Sequence, residues 1–112
     1  MVDSLVSLAD PVVRDAAPQD APAQAVTLLT AVADPIRWAV LARLAQGSSC
    51  VCQLQEHIPI AGNLLSYHLK VLRDAGLVTT SRRGRWIDYA LADDARDRMT
   101  AALPRDPGAA RA

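Results

Sequence analysis

The pattern of apolar and polar positions sharpens from Pro22 onward. In AQAVTLLTAVA, apolar Val26, Leu29 and Val32 recur near helical spacing and predict a first helix. Asp34-Pro35 restarts the chain. Aspartate accepts from the free N–H groups of a first turn, and proline suits the first helical position. Ile36, Val40, Leu41 and Leu44 then share one face and Gly47 is a natural stop, so a second helix is predicted. Cys50 to Ile58 has room for a two-turn helix before Pro59. After the turn PIAG, NLLSYHLKVLRDAG reads as a longer helix, with Leu65, Leu69 and Leu72 at i, i+4 and i+7 and Gly76 closing it. LVTTS and WIDYAL, rich in β-branched and aromatic residues, flank RRGR and predict a hairpin with a basic tip around Gly84. Asp93-Asp94 opens a last helix through Met99 to Leu103, which Pro104 ends.

A short helix and a longer one joined by a tight turn make a helix-turn-helix, whose second helix enters the DNA major groove. An arginine-tipped hairpin straight after it makes a winged helix. The predicted fold class is therefore mainly α with a β-hairpin wing (α+β), a winged helix-turn-helix. Residues 21–103 form that single domain, between a flexible N-terminal arm (1–20) and a flexible C-terminal tail (104–112).

Composition supports a packed core, with 51% hydrophobic and 21% charged residues in a chain of 112. Net charge is zero, 12 Lys and Arg against 12 Asp and Glu, which by itself speaks against a strongly basic nucleic-acid binder. Distribution matters more than the total. Arg82, Arg83 and Arg85 crowd the wing, while Asp93, Asp94 and Asp97 collect on the last helix. No apolar run has membrane-spanning length, and MVDSLVSLADPVVRD lacks a basic leader, so a cytoplasmic protein with reduced thiols and no membrane partner is expected. No nucleophile–base constellation, phosphate loop or cofactor motif is present, which points away from an enzyme and from an organic cofactor.

Within the longer helix, Ser66, Tyr67 and His68 lie in the half that meets base edges. His68 also lies between Leu65 and Leu72 on nearly one face, where a hydrogen-bonded core histidine is the equal alternative. Lys70 is placed for phosphate or for solvent. Arg82, Arg83 and Arg85 fit a wing gripping the backbone or minor groove, against the plainer reading of a charged turn. Trp38, Trp86 and Tyr89 read as packing residues.

ADPIRWAVLARLAQG, CVCQL, LLSYHLKVLRDAGLV and RRGRWIDYAL together resemble the ArsR/SmtB family of metal-responsive transcriptional repressors, from about Ala31 to Leu91. The Cys50-Val51-Cys52 placement resembles the box of the arsenic-sensing branch. The resemblance implies a homodimer packed through its first and last helices, binding double-stranded operator DNA without inducer and released when inducer binds. There are departures. Gln53 and Gln55 stand where a third cysteine is often found, and ADDARDRMTAAL has no histidine for a zinc site. Ala61-Gly62 replace the usual Ser-Gln opening of the recognition helix. Asn63 is then expected as its cap and a DNA contact.

Cys50 and Cys52 are the only cysteines. Thiolates select thiophilic ions such as arsenite, antimonite, Cd(II) or Cu(I), and a helix start favours the thiolate form. With the resemblance, trivalent arsenic or antimony is the expected inducer. The open alternatives are another soft metal, thiol oxidation, or two cysteines that only fill space. In a regular helix, residues i and i+2 stand roughly 200° apart. With Ser48 or Ser49 as cap, both sulfurs would meet on one ion only if the helix start unwound. Such distortion would shift the recognition helix packed against it.

Overall fold

The computed structural model describes residues 20–104, and elements are numbered in chain order within that span. Helix α1 is Asp20–Val32, α2 Pro35–Leu44, β1 Ser49–Cys50, α3 Val51–His57, α4 Gly62–Asp74, β2 Val78–Arg83, β3 Trp86–Leu91 and α5 Ala95–Ala102. The expected arm and tail lie outside the described residues, save that Asp20 already belongs to α1 and Pro104 follows α5.

The α2 start forms as its sequence dictates. Asp34 is extended (φ −148°, ψ 134°), and its Oδ2 accepts from the Ile36 and Arg37 N–H groups at 2.9 and 3.0 Å. These bonds hold the Asp34 carboxyl below its ordinary pKa. Helix α4 ends on Gly76, whose φ of +77° suits glycine, with Leu77 N–H bonding back to the Leu72 carbonyl at 3.0 Å. From α5, the Arg98 guanidinium donates to the Gly76 and Ala75 carbonyls (2.8 and 2.9 Å), satisfying acceptors that the helix end leaves open. A Cβ on Gly76 would stand 2.6 Å from Arg98 Nη1, so another residue here would be strained by the positive φ and would push the Arg98 guanidinium off the helix end.

The three strands form an antiparallel sheet in the order β1-β3-β2. Strand β1 was not expected. Two residues carry no readable alternation, and Ser49–Cys50 forms only because β3 offers an open edge, pairing Ser49 with Tyr89 and Cys50 with Asp88. Behind the sheet, Val40, Leu54, Leu65, Leu69, Leu72, Leu77 and Val78 are fully buried and tie α2, α3, α4 and β2 into one core.

Three packing expectations need correction. Helix α1 buries Leu28, Ala31 and Val32 and leaves Val26 62% exposed, so its inward face is rotated from the one predicted. Trp38 and Trp86 are 64% and 51% exposed, because neither points toward the leucine cluster; Tyr89 does pack against it. Asn63 is not the α4 cap, since Ala61 takes that position and Asn63 is already inside the first turn. No single helix among the described residues is long and apolar enough to cross a membrane.

Leu69, 1% exposed at the centre of the cluster, is the most direct probe of this core. Leu69→Ala is expected to cost about 2–5 kcal/mol. In urea denaturation the midpoint should fall with the slope unchanged.

Candidate functional site

Cys50 is the last residue of β1 and also the N-cap of α3, with an extended backbone (φ −82°, ψ 170°). Neither Ser48 nor Ser49 caps the helix; Ser49 is in the strand and buried. Because Cys50 lies outside the helix, the angular separation of i and i+2 positions within a helix does not apply. The Cys50 and Cys52 sulfurs stand 2.6 Å apart with the helix intact. The expected need for unwinding is therefore overturned: the strand-to-helix bend has already brought the thiols together.

The two thiols differ. Cys50 is buried and Cys52 exposed. The hydrogen bond from the Cys52 thiol, helped by the Gln53 backbone N–H, lowers the Cys50 pKa, and the same bond raises that of Cys52. Of the two thiols the inner one, Cys50, is therefore the readier to ionise. Gln53 closes the capping box by accepting from the Cys50 N–H at 3.0 Å. Gln55 Nε2 donates to the Ile60 carbonyl at 3.3 Å and braces the turn into α4. These glutamines do structural work where a third thiol was looked for. His57 bonds back to the Gln53 carbonyl at 3.1 Å and does not join the pair. Among the described residues no group of three or more His, Cys, Asp or Glu side chains is gathered for a metal ion. The donor set is two soft sulfurs, which fits a thiophilic ion completed by an outside ligand and not a hard cation.

The ladder carries the pair into the wing. Directly opposite residues of an antiparallel pair share one face of the sheet. Cys50 faces Asp88, and Asp88 in turn faces Ser81 on β2. On that face Arg83 holds Asp88 with two bonds, Nε to Oδ2 at 2.8 Å and Nη2 to Oδ1 at 3.0 Å. The pairing lowers the Asp88 pKa and raises that of Arg83, and the Cys50 charge adds to the second effect.

Of the residues expected to meet nucleic acid, Asn63, Ser66, Tyr67 and Lys70 are exposed along α4, and Arg82, Arg83 and Arg85 are exposed on the wing. Lys70 is paired with Asp74 at 2.7 Å, and Arg82 donates to the Gly84 carbonyl at 3.3 Å. Arg85 stands at the tip beside Gly84, whose φ is +63°. His68 is the exception. It is 7% exposed and its Nδ1 accepts from Arg37 at 3.0 Å, with Asp34 3.8 Å away, so it packs α4 against the start of α2 and does not face outward. Leu64, 44% exposed in the first turn of α4, escaped the reading of the sequence. The adjacent Leu64-Leu65 was the available signal, because a helix with Leu65 inward must turn its neighbour away. Asp88 was also missed, since its importance rests on a two-residue partner strand.

The profile of "Bacterial regulatory protein, arsR family" matches residues 34–80. An arsenical resistance operon repressor from Bacillus subtilis is 43% identical over 65 residues, covering 57% of this chain and 62% of the repressor. The chain thus spans less than two thirds of that relative's length. The HTH-type transcriptional regulator NmtR of Mycobacterium tuberculosis is 42% identical over 82 residues, covering 71% of this chain and 68% of NmtR. Among solved structures, a possible transcriptional regulator for arsenical resistance superposes with a TM-score of 0.62 at 34% identity, covering 66% of this chain and 77% of that one. The observed helices and three-stranded sheet match these winged helix-turn-helix structures.

The hydrogen bond between the thiols predicts a split titration. Thiolate ultraviolet absorbance of the reduced protein should rise in two steps that belong to the pair as a whole, one below and one above the value of an ordinary cysteine. Cys52→Ala removes the main donor to Cys50. A single step, moved upward from the lower one, should remain; an unmoved lower step would mean that Cys52 does not set the Cys50 charge.

Proposed function

This chain belongs to the arsR family of bacterial regulatory proteins, and we propose that it is a homodimeric repressor that leaves operator DNA when Cys50 and Cys52 bind trivalent arsenic or antimony. The observation that carries this reading is the pair of sulfurs, 2.6 Å apart where β1 turns into α3. Two gathered thiolates supply soft donors for a thiophilic ion, and the exposed side of Cys52 leaves room for a small outside thiol or water. Thiols must lose their protons to hold an ion, so uptake weakens as pH falls, and the lowered Cys50 pKa makes the inner sulfur the first to ionise.

Cys50 gives this site two levers. As the N-cap of α3 it sets the start of the helix that packs on α4. As the Asp88 partner in the ladder it is joined to the strand that positions Arg83. Displacement of its backbone reaches recognition helix and wing together. A ligand of both sulfurs releases DNA to the extent that it favours the arrangement with the weaker DNA affinity. Operator contacts on this reading come from Asn63, Ser66, Tyr67 and Lys70 in the major groove and from Arg82, Arg83 and Arg85 on the backbone or minor groove. The sulfur contact favours one second reading, oxidation of the pair to a disulfide by a peroxide, with the same levers. Cd(II) and Cu(I) are the other soft ions the donors suit.

Two experiments test the proposal. In fluorescence anisotropy on DNA from its own promoter region, the reduced protein should bind and then dissociate as arsenite is added, while a C50S/C52S variant binds and stays bound. Retention of both proteins rejects the arsenic reading and leaves Cd(II), Cu(I) and peroxide as the next titrants. Asp88→Asn tests the ladder. It should leave arsenite uptake, read from sulfur–arsenic absorbance, unchanged but require several-fold more arsenite for release. Release at the wild-type concentration would confine the coupling to α3.

A further inference from the structure

The first turn of α4 has an unusual chemistry for a helix end that meets base edges. Ala61 and Gly62 bring no polar group. Asn63 brings one amide. Next comes Leu64, 44% exposed, while Leu65 beside it is fully buried and already fills the core position of that turn. Leu64 therefore contributes little to the cluster that holds the domain together. Its exposed neighbour one turn on is Tyr67, 56% exposed at the i+3 position.

An isobutyl group makes no hydrogen bond to a base edge or a phosphate. The edges of the four base pairs in the major groove carry a single apolar feature, the C5-methyl group of thymine. A protein partner is disfavoured by the surroundings. Leu64 and Tyr67 are set among exposed Asn63, Ser66 and Lys70, so they stand in polar surroundings and not in the contiguous apolar patch that marks a protein interface.

We infer that Leu64 is a specificity-determining residue that packs against a thymine methyl group in each operator half-site. The inference rests on the DNA-binding reading above and adds to it a base preference that does not depend on hydrogen bonds. Leucine here compensates for the polar readers that Ala61 and Gly62 lack.

The experiment uses the full chain, reduced and without inducer. An operator is first selected from a random double-stranded library, then resynthesised with deoxyuridine in place of thymidine, which removes only the methyl groups. Wild-type protein should bind the uracil operator about fourfold more weakly per contacted half-site, the worth of one buried methylene-sized group. Leu64→Ala, an exposed change whose folding is checked by circular dichroism, should bind both operators equally. Equal binding of the two operators by wild-type protein overturns the inference, as does undiminished discrimination by Leu64→Ala. If the library yields no enriched sequence at all, the DNA-binding reading falls with it; an enriched operator indifferent to its methyl groups removes only the role of Leu64.

Discussion

The inward packing of α4 governs what every other part of the molecule presents. Leu65, Leu69 and Leu72 occupy one stripe of the helix and are 1% exposed or less, locked against Val40 from α2, Leu54 from α3 and Leu77 and Val78 from the approach to the wing. With that stripe committed, the rotation of the helix is settled. Asn63, Leu64, Ser66, Tyr67 and Lys70 must face out. His68 sits on the margin of the stripe, where a polar ring would be costly without a partner. Arg37 supplies one, and its guanidinium also reaches the Thr30 carbonyl, so a single side chain ties the recognition helix to the α1–α2 corner. The outward surface is thus a consequence of core packing, and changes to the core would be read first as changes in how α4 is presented.

Upon this frame the thiol pair occupies a junction and not a surface. Had both cysteines lain inside α3, a shared ligand would have had to break helical hydrogen bonds before both sulfurs could reach it. By placing Cys50 one residue ahead of the helix, in extended backbone, the chain gathers the sulfurs at no cost to the helix. The same placement makes Cys50 a ladder partner of Asp88. On the proposed reading, a local event at Cys50 is transmitted by two short links, one through α3 into α4 and one through β3 into Arg83.

Most of the architecture was legible because it rests on local chemistry. Asp34-Pro35, the leucine spacing of α4, Gly76 and the β-branched runs around Gly84 each specify their element without help from distant residues. What escaped was non-local. Strand β1 exists only because β3 has a free edge, and no two-residue segment advertises that. The cap of α3 was assigned to a serine because serine is the better cap in isolation, yet Ser49 is drawn into the ladder and Cys50 is left to begin the helix. Trp38 and Trp86 read as packing residues on bulk and hydrophobicity, and a chain read alone does not say which apolar groups remain outside. The cysteines themselves were legible as a candidate pair; the strand-to-helix bend that brings their sulfurs together was not.

The charge balance, finally, bears on how such a protein would hold DNA at all. Zero net charge leaves no long-range field to draw in a polyanion, so affinity must come from a few placed cations. Two of these are already engaged: Lys70 with Asp74, Arg83 with Asp88. Exposed pairs of this kind are individually weak, and a phosphate can displace the acid at small cost. The Arg83 pair differs because Asp88 is only 18% exposed and holds the guanidinium with two bonds, on the face that also carries Cys50. Breaking it for a phosphate leaves a carboxylate less well solvated, at the ladder partner of Cys50. On the proposed reading, the wing's grip is therefore weighed against the charge state of the thiol pair, and a neutral chain gains a DNA affinity that a small chemical change can tip.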